Sequence, residues 1–191
     1  MTTRVDQLLE EIVRREGGLV DHENDRGGIT NYGVSLRYAR NVGLDLNGDG
    51  AVDGEDIRLV TPDKALVLYR EDFYTGPRIH RLPEALQPLM TDFAVNSGPP
   101  RAVMELQDTL ERSRRMAPSE LGSQPVAVDG VIGPGTTGAA KRTHDAMGGY
   151  LVNAVANARL DFLNSLVEAD PSQAVFLDGW ERRVREFMVE V

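Results

Sequence analysis

Val5, Leu8, Leu9, Ile12 and Val13 recur three and four residues apart, so they line one face of a helix over residues 4–15. Gly17 and Gly18 then stop that helix. The same spacing returns along most of the chain, and it limits the fold: apolar stripes on helices are buried by packing helix on helix. Thr61-Pro62-Asp63 starts a helix reaching about Phe73, with Thr as N-cap and Pro at the first helical position. Ala65, Leu66, Leu68, Tyr69 and Phe73 form its apolar side. Further helices are expected over 35–42, 86–96, 101–114, 136–147, 150–168 and 173–190, the last weakened by Gly179. Residues 19–33 read as loop or short strand, 115–126 as loop, and 128–135 as a Gly/Pro turn. The expected class is mainly α.

Composition narrows the function. With 191 residues and 41% hydrophobic content the chain can bury a real core in one domain, or in a domain with a small appendage. A net charge of −9 argues against nucleic acid as the main partner, because phosphate binding needs clustered Lys and Arg. Without cysteine there is neither a disulfide nor a thiolate metal site. The N-terminal MTTRVDQLLEEIVRREGG is a charged amphipathic segment, unlike a signal peptide, and no run approaches the length of a membrane span.

The chemistry concentrates in EGGLVDHENDRGGIT. Glu16 ends the first helix, Asp25 follows after eight intervening residues, and Thr30 after four more. A carboxylic acid, a polar Gly-rich loop and a hydroxyl are the parts needed to cleave a glycosidic bond with water: a proton for the leaving oxygen, and a second polar group that stabilises positive charge or activates water. A carboxyl partly covered by apolar groups keeps its proton near neutral pH, and Leu19 and Val20 are expected to form that dry wall beside Glu16. Asp25, in a more polar loop, is expected to stay ionised. Thr30 is placed to hold a water on the opposite face of the sugar. Asn31, Tyr32 and Asn96 are the candidates for sugar contacts, because polar and aromatic groups near a Gly-rich loop suit hydroxyl recognition. Surface Glu and loop-capping Asp residues are the plainer alternative.

The segment EGGLVDHENDRGGITNYGVS resembles the opening motif of glycoside hydrolase family 108, the bacterial and phage N-acetylmuramidases, which reads approximately EGGYVxxxxDxGGxTxxGIS. In that family the Glu of the EGG motif is the proposed catalytic acid, and it maps onto Glu16. The Glu-x8-Asp-x4-Thr spacing is also similar to that of phage lysozymes, which supports Asp25 and Thr30 by analogy. DFAVNSGPPRAVMELQ (Asp92 to Gln107) looks like the family's second block, VDGVIGPGT (Val128 to Thr136) is similar to a turn of peptidoglycan-binding modules, and ARLDFL with FLDGWERRV resembles the C-terminal block. Ile29 stands where many relatives carry an acidic residue, and Leu19 where an aromatic is frequent.

The resemblance implies a lysozyme-like helical fold that cleaves the β-1,4 bond between N-acetylmuramic acid and N-acetylglucosamine. It also implies a catalytic region over 1–89 and a peptidoglycan-binding-like region over 90–191. Bacterial peptidoglycan is the expected partner and a monomer the expected state. Synthesis in the bacterial cytoplasm is expected, with action on the wall after holin-like release or other export. The alternatives are a non-catalytic wall-binding or secretion-assisting protein, and a lytic transglycosylase, which needs only one Glu.

DLNGDGAVDGED (Asp45 to Asp56) follows the EF-hand loop pattern. Asp45, Asn47, Asp49, the carbonyl of Ala51, Asp53 and Asp56 are the expected ligands of a structural Ca²⁺, and Gly50 provides the sharp bend. Asp56 replaces the usual Glu at the last position, as in dockerin-type loops. Mg²⁺ prefers a smaller, more hydrated octahedron and is disfavoured. A solvated acidic turn is the plainer alternative. Trp180, the only tryptophan, is expected in the core, with sugar stacking as the other reading. His22, His80 and His144 show no metal-ligand spacing.

Overall fold

The computed structural model describes residues 3–20 and 29–191. It divides into two compact units, Met1–Glu71 and Asp72–Val191. Among the described residues no helix is long and apolar enough to cross a membrane.

In the first unit α1 (Arg4–Glu16) starts at a capping box: the Thr3 hydroxyl accepts from the Asp6 amide, and the Asp6 carboxylate accepts from the Thr3 amide. These bonds, with the Arg70 guanidinium beside it, hold the Asp6 carboxyl below its ordinary range. A two-stranded hairpin follows, β1 (Thr30–Asn31) and β2 (Val34–Ser35), with Val20 bridging to Thr30. Its turn, Tyr32-Gly33, has positive φ at both residues (48° and 78°), the two-residue geometry that matches strand twist. Ser35 caps α2 (Leu36–Val42) by accepting from the Tyr38 amide. Then come α3 (Gly54–Leu59) and α4 (Pro62–Arg70), the latter with Thr61 as N-cap and Pro at its start, as its sequence predicts. The unit ends at Glu71, the first residue of a π-helical turn, Glu71–Thr75. The core of this unit gathers Val13, Ile29, Val34, Ala39, Ile57 and Ala65. Ile29 is therefore a packing residue, 7% exposed.

The second unit is built on α5 (Gln87–Ser97), whose residues Pro88 to Ala94 are all buried. It is followed by α6 (Pro99–Met116), α7 (Pro118–Leu121), α8 (Pro134–Met147), α9 (Gly149–Ala169) and α10 (Ala174–Arg185). Phe93, Leu106, Leu110, Leu151 and Val155 fill its core. Two short helices differ from expectation: α3 lies at the end of the acidic turn and α7 in a stretch read as loop. Each begins with a local N-terminal signal, an Asp53 capping box and Pro118, too short to show a periodic stripe.

Two polar devices hold this unit together. Asp92, fully buried on α5, meets Arg159 of α9 at 2.8 Å and Arg183 of α10 at 2.5 Å. Gln107, fully buried on α6, donates to Asp129, the Val131 carbonyl and Thr136, and accepts from the Asp129 and Gly130 amides. The VDGVIGPGT turn is thus pinned by one amide side chain. Trp180 departs from expectation: it is half-buried on α10 and stacks on Phe176, which is 53% exposed. On α10 only Val184 is fully covered, so this helix has too narrow an apolar stripe to take an indole into the core.

Candidate active site

Glu16 is the last residue of α1, and Gly17 takes φ 77° immediately after it, turning the chain toward the hairpin. The side chain lies against that hairpin: a Cβ at Gly33 would come within 3.2 Å of the Glu16 Cγ and would collide with the Tyr69 hydroxyl. The end of α1, the tight turn of the hairpin and the last turn of α4 therefore bring Glu16, Gly33 and Tyr69 to one point. Burial, and then the negative charge of Glu16, push the Tyr69 hydroxyl up to about 12. It stays protonated at neutral pH, a neutral hydroxyl beside the acid. In the sequence Tyr69 marks only an apolar helix face; its meeting with Glu16 depends on α4 packing against α1 across more than fifty residues of chain.

A cleft of about 410 Å³ opens beside this point, lined by Val13, Gly17, Gly18, Tyr32, Pro62 and Leu66 with charged groups at Glu10, Arg14 and Asp63. Tyr32, expected to contact sugar, lines it. Thr30 sits in β1, half-buried, its backbone paired with Val20. Asp25 and His22 lie outside the described residues.

Two expectations are corrected, and a third candidate, Asn96, has a local partner. Glu16 is exposed, and Leu19 and Val20 are 49% and 43% exposed, so these two side chains make no dry wall. Asn31 is buried and donates both amide protons, to the Ile57 and Val60 carbonyls at 3.0 Å each. It satisfies the end of α3 rather than facing a ligand. Asn96 folds back on its own helix, donating to the Asp92 carbonyl at 2.7 Å.

Gly33 predicts a sharp mutational effect. Its left-handed backbone disfavours any Cβ by about 1–2 kcal/mol, and the collision with Tyr69 adds to that. Gly33→Ala is expected to lower the midpoint of thermal unfolding and to displace Tyr69. An unchanged melting curve would contradict the close approach.

In the acidic turn, Asp45 accepts from the Gly48 and Gly50 amides, Asn47 from Asp49, and Asp49 from Ala51. The buried Asp56 accepts from the Asp53, Leu46 and Asn47 amides. These bonds, that from Asp53 first, hold its carboxyl below the ordinary range. The turn is thus closed by its own side chains. Among the described residues no three His, Cys, Asp or Glu side chains converge as a metal cluster.

Comparison with known proteins defines the class. Residues 9–98 match the family described as Glycosyl hydrolase 108, and residues 101–185 match a Predicted Peptidoglycan domain. The chain is a glycoside hydrolase that carries a peptidoglycan domain. Among solved structures it is similar to SagA of Brucella abortus, with 28% identity over 95% of this chain and 90% of that one and a TM-score of 0.66. The mainly α, lysozyme-like fold expected from the sequence is the one found. No curated protein matches the chain. The two family segments meet between 98 and 101, the compact units between 71 and 72; the boundary expected at 89/90 falls between them.

Proposed function

We propose that the protein is an endolysin-type N-acetylmuramidase that hydrolyses the β-1,4 bond between N-acetylmuramic acid and N-acetylglucosamine in bacterial peptidoglycan, with Glu16 as general acid. The observation that carries this reading is the position of Glu16: at a helix end inside the hydrolase segment, against the hairpin turn and the Tyr69 hydroxyl, and next in sequence to Gly17 and Gly18, which line a cleft. Glu16 protonates the leaving oxygen as the glycosidic bond breaks and positive charge builds on the sugar ring. Glu16 is open to water before substrate arrives, and the bound glycan is what covers it. Asp25 and Thr30 manage charge and the attacking water. Inversion of the anomeric centre follows if that water sits between the two carboxyls, which then stand roughly 6.5–9.5 Å apart. The protein works as a monomer on the wall, after release from the cytoplasm by another factor. Borohydride reduction of a digest followed by amino-sugar analysis tests the bond assignment: reduced muramic acid is expected, and reduced glucosamine in its place would refute it.

The turn from Asp45 to Asp56 is a structural calcium loop in this reading. A carboxylate offers about four lone-pair sites. Asp45 commits two of its own to amides, and Asp56 commits three, leaving it a single-oxygen contact. Asn47, Asp49, Asp53 and the Ala51 carbonyl complete an oxygen set suited to Ca²⁺. At about a hundredfold excess over its Kd, calcium would stabilise the fold by about 2.7 kcal/mol. Differential scanning calorimetry is expected to show a rise in Tm with calcium that chelator reverses and magnesium fails to match. Identical traces in calcium and in chelator would remove the loop from the account.

A further inference from the structure

Phe176 and Trp180 are one helical turn apart on α10, with ring centroids 5.8 Å apart and planes 28° from parallel. Phe176 is 53% exposed and its neighbour Val175 79%. Both rings belong to the segment that matches the peptidoglycan domain, in the second compact unit, whereas Glu16 belongs to the first. We propose that this pair is a glycan-stacking subsite that holds a sugar ring of the peptidoglycan strand, the substrate class on which the reading above rests.

The chemistry fits a pyranose. The face of an aromatic ring is electron-rich, and the axial C–H groups on one face of an amino sugar carry slight positive charge, so the two attract when stacked. A protein partner is disfavoured by size. Large aromatic side chains bury about 150–250 Å² each, so two rings and a valine fall short of the roughly 800 Å² that each partner buries in a stable protein interface.

Trp180 reports on itself, because it is the sole tryptophan. Titration of the whole chain with β-1,4-linked N-acetylglucosamine tetramer is expected to shift its emission saturably. In parallel, Phe176→Ala and Trp180→Ala are expected to weaken co-sedimentation with purified sacculi by about tenfold, while Trp180→Phe retains most of it. The alanine variants should keep the far-ultraviolet dichroism and the thermal unfolding midpoint of the parent. Silent emission with unchanged sacculus binding overturns the subsite. So does a dimer in sedimentation velocity that Trp180→Ala dissolves, because the patch would then be covered by a second copy. A parent that binds sacculi through these rings yet releases no sugar would refute the muramidase reading and leave the subsite standing. Hydrolysis with no contribution from the rings would do the reverse.

Discussion

Replacing Glu16 by Gln is expected to lower sacculus hydrolysis by about 10²–10⁴-fold while leaving the melting curve of the protein in place. The two halves of this expectation come from one geometry. Glu16 is exposed at the end of α1, where an amide of the same shape neither empties the core nor strands a buried charge. Gln has no proton to give, so the leaving oxygen must depart as an alkoxide and the barrier rises by the full contribution of the acid. Tyr69 is the internal control. Its hydroxyl, pushed up to about 12, is a far weaker proton donor than a carboxyl and a poor substitute for Glu16. A Glu16→Gln protein that clears purified walls at the parental rate would remove Glu16 from the mechanism.

Asp92→Asn is the substitution expected to cost most in stability. Asp92 is fully buried between two guanidiniums, Arg159 and Arg183, and Arg159 is itself only 2% exposed. The Arg159 guanidinium lies 5.0 Å over the Phe93 ring, and among the described residues its Nε and Nη1 find no aligned hydrogen-bond acceptor. Burial pulls the Arg159 pKa down, and the charge of Asp92 is what opposes it. Once the carboxylate is neutralised, two like charges face each other in the interior, at a cost of about 3–5 kcal/mol. For a chain of this length the corresponding fall in Tm is roughly 6–20 °C. Pairing Asp92→Leu with Arg159→Met should recover part of the loss, because an apolar pair needs no counter-charge. A single-mutant Tm within a degree or so of the parent would mean that the triad carries no net stability.

Much of the fold was legible because its determinants are local. The stripes of Val5, Leu9, Ile12 and Val13 mark α1, and Thr61-Pro62 and Ser35 set two helix starts at the positions found. What the sequence did not show depends on distance. Asn31 looks like a polar residue beside a catalytic loop; only in three dimensions does it meet the carbonyls of Ile57 and Val60, 26 and 29 residues away. Tyr69 and Glu16 meet for the same kind of reason. Trp180 stays outside the core because the buried stripe of α10 is narrow, a width that a lone aromatic on an amphipathic helix does not reveal. The acidic turn was readable as a loop pattern, but not the helix that grows from its end: Asp53 and Asp56 serve the loop and the capping box of α3 together.

Digestion of purified sacculi in heavy-oxygen water, with mass spectrometry of the released fragments, tests the central claim most directly. A water-mediated cut assisted by Glu16 leaves the heavy oxygen on a new reducing N-acetylmuramic acid end, and the Glu16→Gln protein leaves none. Anhydro-muramic ends without label, or label on N-acetylglucosamine ends, would contradict the account.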